Sequence, residues 1–216
     1  MSLETIHRKP DNGHATPIVL LHGAWHGAWA WDNGFVDRLV DGGFEVLALS
    51  LRGHGDSSGS ARFASLGKYL ADLSSVVEDL DRAPVVVGHS IGGLITQRLI
   101  AKRPVAGAVL MASVSPRGPW ALTLSTATKH PWLFAKSAVT LSLGPLVSSE
   151  SLVRDLFFTT DTPEQLVGWT SERLMAESYI AYVGMFLGAP AKKVKGLPML
   201  VIGADWDAVF PPTVVR

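Results

Sequence analysis

A chain of 216 residues, 47% hydrophobic and 18% charged, with a mean hydropathy of +0.25, can bury a substantial core, which excludes disordered, collagen-like and coiled-coil architectures. Nineteen Lys and Arg balance nineteen Asp and Glu, and no run of like charges stands out. Neither a nucleic-acid footprint nor a polybasic membrane patch is therefore expected, and the ligand expected is a small molecule, neutral or apolar. Without cysteine there is no disulfide framework and no thiolate nucleophile, and any zinc site would need His and carboxylates alone. The N-terminal stretch lacks the apolar core of a signal peptide and no apolar run reaches the length of a membrane span, so a cytoplasmic protein is expected.

In chain order, short apolar runs flanked by Gly, Pro or polar turns fall at Ile18 to Leu21, Val46 to Leu49, Val85 to Val87, Ala108 to Met111 and Leu200 to Ile202. Continuous runs of this kind suit strands covered on both faces. Between them, Leu66, Tyr69, Leu70, Leu73, Val76, Val77 and Leu80 fall on one helical face. Alternating strands and helices predict an α/β fold with a mostly parallel sheet flanked by helices, and ligands beyond the carboxyl ends of the strands. From 115 to 190 the alternation stops, and an aromatic-rich, mostly helical insertion is expected, read as a cap over an apolar pocket. The core is then 1–114 with 191–216. Inside the insertion, Thr162 reads as a helix N-cap with Pro163 at the first helical position and Gln165 completing a capping box.

Gly88-His89-Ser90-Ile91-Gly92 follows directly on the third run and leads into the helical pattern Leu94, Ile95, Leu99, Ile100. A GxSxG turn between a buried strand and a helix holds its serine at strained backbone angles, and its glycines remove Cβ atoms that would collide. The helix start adds N–H groups and a positive dipole end where negative charge would develop. An oxyanion needs two converging N–H donors, one from the residue after the nucleophile and one from the loop after an earlier strand, which makes Ile91 and Ala24 the candidates. His22 and His26, beside glycine turns, read as fixing loop backbone rather than moving protons. No metal or cofactor is implied.

The segments HGAWHGAWAW at His22 to Trp31, LSLRGHGDSSG at Leu49 to Gly59, GHSIGG at Gly88 to Gly93 and VIGADWDAVFPP at Val201 to Pro212 resemble successive signatures of the α/β-hydrolase superfamily, in its esterase-like branch. The resemblance implies Ser90 as nucleophile, Ala24 and Ile91 as oxyanion donors, and an acid just after the last apolar run. Of the two aspartates there, Asp207, which precedes an apolar pair and then proline, fits the pattern better than Asp205, read as a turn or surface carboxylate. The superfamily order of Ser, acid, then His is not completed, because His7, His14, His22, His26, His54, His89 and His130 all precede Asp207. The expectations are a serine hydrolase acting on a small or medium apolar carboxylic ester, with the catalytic His, the last strand and the last helix missing from these residues. The alternatives are a noncatalytic small-ligand binder, or cofactor-free peroxidase, hydroxynitrile lyase or amidase chemistry on the same fold.

Overall fold

The computed structural model describes residues 1–189, 196–205 and 207. Six strands form one sheet: β1 (Thr5–Arg8), β2 (Ile18–Leu21), β3 (Val46–Leu49), β4 (Val85–His89), β5 (Gly107–Met111) and β6 (Met199–Ile202), in the order β1-β3-β2-β4-β5-β6. All neighbours are parallel except β1, which runs antiparallel to β3. All five apolar runs are strands. β1 has no such run: it is an edge strand with a mostly exposed TIHR sequence, joined to the sheet through backbone pairing.

Period-two alternation along β2 and β3 divides the core into two layers. Val19, Leu21, Leu47 and Leu49 face α2 (Leu66–Glu78) and α3 (Ile91–Ile100), whereas Ile18, Leu20, Val46 and Ala48 face Val36 of α1 (Phe35–Asp41) and the indole of Trp31. On α2 the buried face is Leu66, Tyr69, Leu73 and Val77, flanked by half-buried Leu70 and Val76, as its apolar spacing predicts. Ser65 caps the helix by accepting from the Lys68 N–H at 3.3 Å. β6 differs from the expectation of a strand covered on both faces: its four residues are exposed. Among the described residues it pairs with β5 alone.

Among the described residues between β5 and β6 run five α-helices: α4 (Trp120–Lys129), α5 (Pro131–Thr140), α6 (Glu150–Phe157), α7 (Glu164–Ser171) and α8 (Tyr179–Met185). α7 starts one residue later than the capping-box reading. Pro163 has the extended ψ of 137° of an N-cap, and its carbonyl accepts from the N–H groups of Leu166 and Val167. Thr162 instead gives its carbonyl to the Arg154 guanidinium.

The strand order positions the site. From β2 the chain moves to β3 on one side of the sheet and then returns to β4 on the other, so the loops after β2 and β4 diverge around a crevice at the strands' carboxyl ends.

Candidate active site

Ser90 follows β4 at φ 53° and ψ −117°, a conformation that costs a non-glycine residue about 1–3 kcal/mol and persists only where its surroundings enforce it. Here they do. The Ser90 N–H donates to the Met111 carbonyl at 3.0 Å, and its own carbonyl accepts from Gly93 at 3.0 Å and Val114 at 3.1 Å. The flanking glycines are sterically required, because a Cβ on Gly92 would lie 2.5 Å from the His22 carbonyl oxygen and one on Gly88 2.4 Å from the Gly92 carbonyl oxygen. The first turn of α3 therefore rests directly on the end of β2, and brings the β2 loop beside Ser90.

That loop is held by its histidines, as the glycine-turn context predicts. The His22 Nδ1–H donates to the Gly23 carbonyl at 2.7 Å while Nε2 accepts from the Leu51 N–H at 3.0 Å, which sets the neutral tautomer and ties the β2 loop to the β3 loop. His26 Nδ1 bonds the Ala24 carbonyl at 2.7 Å. Burial, reinforced by the neighbouring His54 charge, lowers the His22 pKa to about 3, and burial lowers that of His26 to about 4. Between pH 6.5 and these values the unfolded chain binds more protons than the folded one, so stability present above pH 6.5 is lost as pH falls. For fully buried His22 the loss is about 1.4 kcal/mol per pH unit. Urea unfolding at pH 7 and pH 5 should therefore differ by about 2 kcal/mol through His22 alone. His22→Gln should flatten that dependence, and an unchanged slope would show that His22 is not the titrating group.

Ser90, Ala24, Ile91 and Asp207 all line one cavity of about 550 Å³. Its walls are mostly apolar and include Trp25, Trp29, Phe134, Phe157, Trp169 and Met185, so the helices between β5 and β6 supply one side and the strand ends the other. The only charged lining residues among those described are Asp155 and Asp207. Ile91 opens α3, and its N–H has no acceptor inside the helix. Trp25, at φ 64°, turns the loop after Ala24 and is tied to the helical segment: its indole N–H donates to the Leu143 carbonyl at 3.1 Å, and its carbonyl accepts from Met175 at 2.9 Å. Asp205 is exposed and does not line the cavity, whereas Asp207 does. The His89 imidazole, pulled down by burial, is partly restored by the Asp207 charge, so that carboxylate acts next door to Ser90. Residues 208–211, whose pattern favours Asp207 in the sequence, lie outside the described residues. Of the seven histidines, His26 and His89 line the cavity; His130, at the junction of α4 and α5, does not.

A further cluster has no local signal in the sequence. His54, wholly buried in the loop after β3, forms an ion pair at 3.3 Å with buried Glu177, just before α8. The Tyr69 hydroxyl and the Ser178 N–H both donate to Glu177 Oε1 at 2.6 Å. Burial pushes the Glu177 carboxyl up, but the His54 charge and these hydrogen bonds outweigh it and hold the group below its ordinary value. Burial likewise pulls His54 down, and Glu177 more than offsets it, leaving the imidazole raised. The His54 ring lies 5.2 Å from that of His22, so the helical segment is locked to the loop that carries Ala24.

Residues 18–216 match the model of the alpha/beta hydrolase family. Among curated proteins, the non-heme chloroperoxidase of Streptomyces lividans is 38% identical over 104 residues, which are 46% of this chain and 37% of that protein; the chain thus spans under half the length of this relative. The pheophorbidase of Raphanus sativus is 26% identical over 207 residues, covering 90% of this chain and 78% of that protein. Among solved structures, the methylesterase MES16 from Arabidopsis superimposes with a TM-score of 0.71 at 21% identity, covering 92% of this chain and 82% of that one. The strand order, the strained serine turn after β4 and the family match over 18–216 agree, and the chain belongs to the alpha/beta hydrolase family.

Proposed function

We propose that the chain is a serine hydrolase acting on small or medium, largely apolar carboxylic esters. The observation that carries this reading is a serine held at strained angles on the wall of an apolar cavity that Ala24, Ile91 and Asp207 also line. In this reading Ser90 Oγ attacks the ester carbonyl, and the N–H groups of Ala24 and Ile91 take the charge that develops on the carbonyl oxygen. The C–O bond then breaks, the alcohol leaves with a proton, and water releases the acid from the acyl-serine. Asp207 orients the base that takes the Ser90 proton and stabilises its protonated form, as the acid of a triad does. Residues 115–190 act as a cap that excludes water, over a core of 1–114 and 191–216. The absence of Lys and Arg among the described lining residues supports neutral rather than anionic substrates.

None of the seven histidines follows Asp207, and the base is the one part of the machinery these residues do not supply in the family order. Slow acylation with poor turnover is the expected result. A fluorophosphonate probe should label Ser90, mapped by mass spectrometry, and Ser90→Ala should abolish the adduct. A folded sample labelled elsewhere with Ser90 untouched would overturn the assignment. The match to a protein named a non-heme chloroperoxidase supports, as a second reading, cofactor-free peroxidation on the same serine.

A further inference from the structure

We propose that the outer face of α4 and α5 docks on a lipid surface rich in anionic headgroups. Trp120 and Leu124, one turn apart on α4, are 65% and 68% exposed, and Trp132 and Val139 on α5 are 79% and 84% exposed. Lys136 falls between the last two on the same helical face, Lys129 is the last residue of α4, and Arg117 lies three residues before that helix begins. All three cations are exposed, and none has an ion-pair partner among the described residues. No Asp or Glu occurs between Asp81 and Glu150, although the whole chain is neutral. Spaced along the chain in this way, the three cations do not read as a basic run in the sequence.

Exposed tryptophans beside lysines, with no acid among them, match the membrane interface, where indoles sit at headgroup level and cations meet anionic lipid. A second copy of the chain is a poor occupant. A two-fold contact through α4 and α5 would set cations against cations, and neither helix carries an Asp or Glu to pair them. No helix among the described residues is long and apolar enough to cross a membrane, so the contact is one of surface docking. The inner faces of the same two helices contribute Leu122, Thr123, Thr126 and Phe134 to the cavity wall. Docking would therefore hold that wall against the phase in which apolar esters dissolve.

The test is cosedimentation of the folded chain with phosphatidylcholine vesicles, with and without phosphatidylserine. With about five-fold gained per cation, partitioning should be about 100-fold stronger on the anionic vesicles and should weaken between about 0.1 M and about 0.5 M salt. Lys129→Gln with Lys136→Gln should cut the anionic preference by about 25-fold. Trp120→Ser with Trp132→Ser should weaken binding to both vesicles by about ten-fold or more. Phe63→Ser, which removes an exposed aromatic elsewhere, should bind like the parent, and circular dichroism checks that each variant is folded. Failure to sediment with anionic vesicles, equal binding to both vesicles, or an equal loss with Phe63→Ser would each overturn the proposal. So would self-association in sedimentation velocity that the tryptophan pair abolishes without any vesicle binding.

Discussion

Hydrolysis of p-nitrophenyl acetate by this chain is expected to be slow, to rise with added imidazole, and to lose the imidazole-dependent part in Ser90→Ala. Serine is a weak nucleophile at neutral pH, and loss of the base in a triad lowers kcat by about 10⁶, leaving the contribution of the oxyanion donors and binding. In the proposed reading the base is not among these residues, so a small soluble imidazole that enters the cavity should restore part of the general-base contribution, about ten-fold or more over the uncatalysed increment seen with Ser90→Ala. The dependence should saturate with imidazole if the base occupies the cavity. Fast turnover insensitive to imidazole would instead place the base among the histidines present. His26 and His89, which line the cavity, would then be the ones to replace, in preference to His130, which lies away from it.

The second large effect is expected at Glu177. Glu177→Ala leaves His54 buried without its counter-charge and the Tyr69 hydroxyl without its acceptor, and breaking a buried pair from one side costs about 3–5 kcal/mol. For a chain of this size that lowers Tm by about 6–20 °C. Tyr69→Phe, which removes one hydrogen bond to a charged acceptor, should cost about 1.5–3 kcal/mol. Replacing both charged partners and the tyrosine that bonds Glu177, His54→Leu with Glu177→Met and Tyr69→Phe, should recover part of the loss, because the apolar groups carry no uncompensated charge and leave no orphaned hydroxyl. The pH dependence has two sides. Glu177, lowered in the folded state, contributes above pH 4.5 and loses its contribution as pH falls through its folded pKa. His54, raised in the folded state, contributes fully below pH 6.5 and loses its contribution as pH rises through its folded pKa. The Glu177→Ala deficit should therefore be greatest between pH 4.5 and 6.5 and shrink at alkaline pH, as read from urea midpoints. A deficit that stays the same from about pH 5.5 into the alkaline range would mean that packing, not the ion pair, holds the cluster.

The resemblance carried by the four motif segments agrees with the family match over 18–216, and reading those segments was enough to name the family. β2 and β3, buried at every position, were legible as strands because parallel strands covered on both faces need continuous apolar sequence, whereas β6 carries such a run although its four residues are exposed. The serine turn was equally local: a strained residue between strand and helix demands small neighbours at fixed offsets, and Gly88 and Gly92 occupy them. β1 was not legible, because an edge strand joined by backbone pairing carries no side-chain pattern. The α7 start differs from the sequence reading by one residue: Pro163 is the cap, and the Thr162 carbonyl accepts instead from Arg154, eight positions away.

What only the tertiary structure decided are meetings between residues distant in the chain. His54 and Glu177 are an unremarkable loop histidine and an isolated glutamate until the crossover from β3 and the approach to α8 bury them against each other. The cavity shared by Ala24, Ser90 and Asp207 exists because β2 is central and the strand order reverses around it, and burial by the helical segment then sets the charge states of the histidines there. Local sequence encodes local periodicity and steric need. Burial, and with it the protonation of His22, His26 and Glu177, is a property of what packs against a residue, and that is supplied by other parts of the chain.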